Sequence, residues 1–294
     1  MRLVLLLLCT LAISGCVRHL GAPEGEPPAL PDYDVAVIED RVYTPDDWPQ
    51  ALHADIYRPE PSGRYPAVLM VHGGGWERRS PEDTAALSRR LAEQGFVAVN
   101  IEYRFAPEYT FPAQLHDLQM AMRWLHVHAD DYGIDRSRVG AWGYSSGAHL
   151  VTLLATVAAD TDSPLNEPYG GPVTRPRAVV AGGTPTDLRK FEGGTLVPQF
   201  LGGPQDSNAA TYAAASPVTH VGADTPPHLL YHGTLDSVVP VDHAEDYRTA
   251  LNANGVDNEL LLLRGKGHVA AFLFGGAAED AGAAFLARTL TPAH

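Results

Sequence analysis

From about Val35 onward, short runs of Val, Leu and Ile alternate with longer stretches whose apolar positions recur at helical spacing. The runs "LHADIYRP", "PAVLMVH", "VAVNIEY", "RVGAWGY", "RAVVAGG", "HLLYHG" and "NELLLLRG" read as strands. Between them, residues 81–94, 112–130, 146–158, 242–254 and 270–289 read as helices. Alternation of this kind predicts an α/β fold with a mostly parallel central sheet and helices on both faces. No internal repeat and no second composition regime appears, so residues 32–294 are expected to form one domain. Residues 184–226, rich in Gly, Pro, Thr and Ala, interrupt the alternation and are expected to form a cap or lid insertion.

The N-terminal pattern is different. "MRLVLLLLCTLAISGC" has a basic start at Arg2, an apolar run from Leu3 to Ile13 and a small-residue end, so residues 1–15 read as a secretory signal, too short for a stable span. The end "ISGC" resembles the bacterial lipobox, which implies cleavage before Cys16 and acylation of its thiol and new amine. Cys9 and Cys16 are the only cysteines, so the exported chain would keep none outside its anchor. Proline, glycine and glutamate dominate as far as Pro31, and residues 16–31 read as an unfolded tether. Val17 stands where an inner-membrane retention aspartate would be, and the resemblance implies an outer-membrane anchor in the cell envelope.

Composition narrows the partners. The chain has 294 residues, 45% of them hydrophobic, enough for a full core, and a formal net charge of -14. That charge repels phosphate backbones and anionic headgroups, and no Lys/Arg block overrides it, so nucleic acid is not expected as a partner. Oligomeric state is not readable from the sequence.

The chemistry centres on "RVGAWGYSSGAHL". Only Ser145 fits G-x-S-x-G, with Gly143 and Gly147 flanking it; a strand before and a helix after supply the sharp turn that lifts a serine hydroxyl off a sheet. A serine hydroxyl needs a general base, and the base needs an acid to fix its tautomer. Asp236 after "HLLYHGTL" and His268 after "NELLLLRGKG" fall at strand ends in the order Ser, acid, His. Asp242 and Glu245 start a helix, where a carboxylate suits the helix dipole, and His149 is expected to pack inside the nucleophile helix. His116, His126 and His128 lack metal-ligand spacing, so no metal and no cofactor is expected. "VLMVHGGGW" closes an earlier strand with glycines whose amides can face a substrate. Gly74, Gly75 and Ser146 are therefore the expected oxyanion donors, with His72 and Gly73 supporting the loop.

Taken together, "HGGGW", "YRFAPEYTFPAQLHD", "YGIDRSRVGAWGYSSGAHL", "SPVTHV", "HGTLDSVVP" and "GKGH" resemble the α/β-hydrolase carboxylesterases. The chain is most similar to the hormone-sensitive-lipase-like group and to the bifunctional feruloyl and acetyl xylan esterases. The resemblance implies a Ser145–His268–Asp236 triad and oxyanion amides at Gly74, Gly75 and Ser146. Ser146 and Ala148 depart from the family's usual small residue and glycine, but only a backbone amide is needed at Ser146. The lipase-like branch also carries a helical cap before its first strand, whereas here the fold is expected to begin almost at once. The expected function is hydrolysis of short-chain acyl esters, with acetyl or feruloyl esters of plant polysaccharide as candidates. An amide-cleaving relative, an arylformamidase or serine peptidase, is the enzymatic rival. A catalytically inactive envelope binding protein is the non-enzymatic one.

Overall fold

The computed structural model describes residues 17–290. Its strands are β1 (Val17–Leu20), β2 (Val35–Val42), β3 (His53–Pro59), β4 (Tyr65–Val71), β5 (Val97–Ile101), β6 (Ile134–Tyr144), β7 (Val179–Gly182), β8 (His228–Gly233) and β9 (Asn258–Leu263). Its helices are α1 (Glu82–Glu93), α2 (Ala113–Val127), α3 (Ala129–Tyr132), α4 (Ser146–Ala159), α5 (Leu196–Leu201), α6 (Gln205–Ala214), α7 (Asp242–Ala253), α8 (His268–Leu273) and α9 (Gly276–Leu290). One nine-stranded sheet has the order β1-β9-β8-β7-β6-β4-β5-β3-β2. The strands from β4 to β9 are parallel, and antiparallel β1, β2 and β3 complete the two sides.

The parallel strands are apolar almost without interruption because both faces are covered. Along β4, Ala67, Leu69 and Val71 enter one core with α2, α4 and α7, while Val68 and Met70 enter the other with α1 and α9. Helix α4 is buried for nearly its whole length. An amphipathic helix would expose a polar stripe; α4 has none, and this places it at the centre of its layer. Between β5 and α2 the chain is held by the buried Arg104–Asp117 pair, and Trp48 Nε1 also donates to that carboxylate at 2.9 Å.

Three expectations need correction. Residues 17–31 do not form a free tether: Val17–Leu20 pairs with β9, Val17 opposite Leu263 and Leu20 opposite Leu260. His19 Nε2 lies 2.8 Å from Glu259, and Leu20 and Leu30 pack against the two cores, so the fold includes residues from Val17 and does not start at residue 32. The alternation in "VRHL" is only four residues long and its partner strand lies more than 200 positions away, which hides it among prolines and glycines. The last helix, expected over 270–289, is two, with Phe274 and Gly275 between α8 and α9. The half-exposed β2 adds an edge strand that the apolar runs did not mark. The proposed signal at 1–15 and Cys16 lie outside the described residues.

Candidate active site

The site sits at the carboxyl ends of the parallel strands, where βα loops converge. Ser145 follows β6 in a strained conformation, φ 55° and ψ -122°, with its amide bonded to the Gly182 carbonyl at 2.8 Å. The flanking glycines are demanded by contact. A Cβ on Gly147 would lie 2.2 Å from the Val71 carbonyl oxygen, and one on Gly143 would lie 2.4 Å from the Gly147 backbone. Core packing therefore fixes where the hydroxyl points.

The structure brings the three expected groups together. His268 Nε2 lies 2.9 Å from Ser145 Oγ, and His268 Nδ1 lies 2.6 Å from Asp236 Oδ2. Asp236 Oδ1 accepts from the amides of Val238 and Val239, both at 2.9 Å. Burial alone would raise the Asp236 pKa, but hydrogen bonds from His232, His268 and the Val239 amide hold it well below the usual carboxylate range. The carboxylate is thus ionised and oriented toward the imidazole.

The glycine loop after β4 faces the same point. Gly74 has φ 122°, and a Cβ there would meet the Arg78 carbonyl at 2.0 Å, so no other residue fits. Among the described residues, nothing accepts from the amides of Gly74, Gly75 or Ser146. His72 is buried, its pKa lowered by desolvation, and its Nδ1–H donates to the Gly73 carbonyl at 2.7 Å. That bond pins the loop from within.

A cavity of about 190 Å³ opens beside Ser145, lined chiefly by Gly75, Trp76, Phe191, Leu196, Val238 and Val239. Residues 193–197 of the 184–226 insertion form one wall of it. Leu196 is in contact range of Gly75, so α5 closes the cavity over the glycine loop.

The rejected candidates lie elsewhere. Asp242 pairs with Lys190 at 2.9 Å, and among the described residues no group of three His, Cys, Asp or Glu could hold a metal. Three supports were missed. Tyr144 donates its hydroxyl to the His268 carbonyl at 2.6 Å and lays its ring 5.2 Å from the imidazole. His232, four residues before Asp236, places Nε2 2.8 Å from the Val239 carbonyl and 3.4 Å from Asp236. His149 is more than packing: it accepts from Trp76 Nε1 at 3.2 Å and donates from Nε2 to the Ala215 carbonyl at 2.7 Å. The strand-end spacing in "HGTLD" could have flagged His232; the other two depend on contacts across the fold.

Comparison with known proteins places this geometry. The profile of the family designated BD-FAE matches residues 54–251, more than half of the chain. Esterase LipC of Mycobacterium tuberculosis is 31% identical over 248 residues, which cover 79% of this chain and 60% of LipC. The chain spans about half to three fifths of the length of the first curated relatives it matches, at 49%, 60% and 50%. A thermophilic esterase from the planctomycete Thermogutta terrifontis superposes with a TM-score of 0.71 at 25% identity, covering 89% of this chain and 94% of that one. The same esterase has been solved with propionate bound and phosphoramylated by tabun. An acetyl ester-xyloside bifunctional hydrolase from Caldicellulosiruptor lactoaceticus shares the fold, with a TM-score of 0.72 at 24% identity over 88% of this chain and 97% of that one. The sheet order, the turn at Ser145 and these likenesses are those of the α/β-hydrolase fold, and the chain belongs to the BD-FAE family.

Proposed function

We propose that the chain is a serine carboxylesterase for short-chain acyl esters. The observation that carries this is the continuous relay from Ser145 Oγ through His268 to Asp236, at 2.9 and 2.6 Å. The Ser145 proton passes to His268 Nε2 as Oγ bonds to the ester carbonyl carbon. Asp236 holds the imidazole in the tautomer that receives that proton, and stabilises the imidazolium. Negative charge on the carbonyl oxygen is met by the free amides of Gly74, Gly75 and Ser146. The carbonyl–alkoxide bond then breaks, and the alcohol leaves with the proton from His268. Water repeats the cycle, releasing the acid and restoring Ser145.

The cavity supports a short acyl group. At about 190 Å³ it falls below the roughly 300–1,000 Å³ of sites for drug-sized ligands, and its walls are mainly apolar. The propionate-bound state of the related esterase agrees with this size. Acetyl esters of plant polysaccharide, and feruloyl esters with their larger acyl group, are the finer candidates. Their test is a panel of acetyl, butyryl and octanoyl p-nitrophenyl esters, acetylated xylan, feruloyl esters, an aryl formamide and a peptide. Turnover that falls steeply from butyryl to octanoyl supports the reading. Faster formamide or peptide turnover would overturn it in favour of an amidase, and no turnover would favour a binding protein.

For location we propose a lipid anchor at Cys16, in the cell envelope and by resemblance at the outer membrane, supported by the Leu-rich run and the "ISGC" end. Mass spectrometry of the membrane-extracted chain tests it: an N-terminus at acylated Cys16 is expected, and an unmodified Cys16 overturns it.

A further inference from the structure

Five of the large apolar side chains that the fold leaves exposed belong to two neighbouring segments, Leu235 and Val238 beside Asp236, and Val269, Leu273 and Phe274 after His268. The segments are tied by a hydrogen bond from the Leu235 amide to the Lys266 carbonyl, 2.9 Å. Val269 and Leu273 stand one helical turn apart on α8, so they share its outer face. Phe274 is 70% exposed, a costly position for a phenyl ring unless something covers it.

The two segments themselves carry little charge. The chain as a whole carries -14, yet residues 234–241 and 263–275 together contain Arg264, Lys266 and one acid, Asp236. That acid is buried and engaged by His268. The outward face is therefore apolar, with Arg264 and Lys266 on one segment and the acids Asp83 and Glu279 beside Leu273 and Gly275.

Register gives the partner. In the antiparallel pairing of β1 with β9, Val17 lies opposite Leu263, at the carboxyl end of the sheet. The proposed anchor residue, Cys16, directly precedes Val17, which lies one strand spacing, about 4.8 Å, from the segment that leads to His268. Because β1 is part of the sheet, there is no slack between that junction and the patch.

We infer that the rim of Leu235, Val238, Val269, Leu273 and Phe274 docks on the bilayer that holds the proposed anchor, so that the mouth of the site faces the membrane. The inference rests on the proposed anchor, not on the proposed esterase activity. An exposed apolar face at the same end of the sheet as the proposed anchor fits the interfacial region of a bilayer, where rings and aliphatic chains are buried. An ester lying at the membrane surface would then reach Ser145 directly. A soluble polymer would need the same mouth open to water, so docking and polysaccharide turnover make opposing demands.

The test uses the full chain reconstituted with vesicles of phosphatidylethanolamine and phosphatidylglycerol whose acyl chains carry bromine, a collisional quencher of indole. F274W places an indole on the rim. V127W places one at an equally exposed position, at the end of α2 remote from the carboxyl ends of the strands. The four native tryptophans are common to both, and their signal is subtracted with the wild-type chain. Docking predicts a loss of emission from F274W on brominated vesicles and none from V127W. Equal quenching of the two, or quenching of neither on vesicle-bound chain, would overturn the inference and leave the anchor intact. A blue shift of F274W that grows with protein concentration without lipid quenching would assign the rim to a second copy, against the inference. Failure to bind vesicles would overturn anchor and docking together, with ester hydrolysis by the same sample showing whether the proposed function stands.

Discussion

Ser145 stands on a turn enclosed by backbone, with Gly147 against Val71 on one side and the Gly182 carbonyl bonded to its amide on the other. Asp236 stands on a loop and His268 at the first residue of α8, with exposed side chains beside both, and they are held by hydrogen bonds: two amides on the carboxylate, and the Tyr144 hydroxyl on the His268 carbonyl. Close packing cannot relax by small steps, whereas a hydrogen-bonded loop loses one restraint at a time. The nucleophile side should therefore respond to substitution in all-or-none fashion, and the acid–base side in graded fashion.

The largest expected effect is that of Ser145→Ala, which removes the proposed nucleophile and should lower kcat on the order of 10⁶-fold. Circular dichroism and thermal melting should be unchanged, so that a rate loss with intact fold marks chemistry. On the acid–base side, Asp236→Asn keeps the shape but favours the wrong imidazole tautomer, and steady-state kinetics should show roughly a 10⁴-fold fall in kcat.

Acid should act first on stability. Burial lowers the pKa of His149, His228 and His243 to about 4 each, from an ordinary value of 6.5. As pH falls from about 6.5 to about 4, the unfolded chain takes up protons on these imidazoles that the folded chain refuses. Unfolding free energy should therefore drop in that window, by roughly 1–3 kcal/mol for each group, and be insensitive to them above it. Urea unfolding at a series of pH values measures this, and a stability that rises on acidification through the window would contradict it. His149 links the comparison to this result, since its neutral Nδ1 accepts from Trp76 beside the glycine loop.

Smaller again is Tyr144→Phe, which removes the bond to the His268 carbonyl. A loss of about 1 kcal/mol, or roughly fivefold in kcat, is expected. If Tyr144 acts by positioning the base, kcat should fall more than KM rises; an unchanged kcat would leave it a packing residue. Ser146→Ala should change kcat by less than about threefold, because the oxyanion amide stays in place.

The parts of the site that are short patterns beside strand ends were legible in the sequence. Ser145, Asp236, His268 and the glycines after β4 each announce themselves within a few residues, because a turn or a close backbone approach permits few residue types there. The supports were not legible, since Tyr144 meets His268 across 124 positions and His149 meets Trp76 across 73. Strand β1 was hidden for a related reason: composition spoke for a tether, and only its partner β9 makes a strand of "VRHL". The apolar runs identified the sheet's centre well and its edges poorly, because an edge strand need be apolar on only part of one face.

The central claim, that Ser145 is the nucleophile activated by His268, is tested most directly by a fluorophosphonate followed by peptide mass spectrometry. The account predicts one adduct, on Ser145 and not on Ser146, with ester hydrolysis lost in proportion to labelling and no adduct in His268→Ala. An adduct on Ser146, or full ester hydrolysis by a chain fully labelled at Ser145, would contradict it.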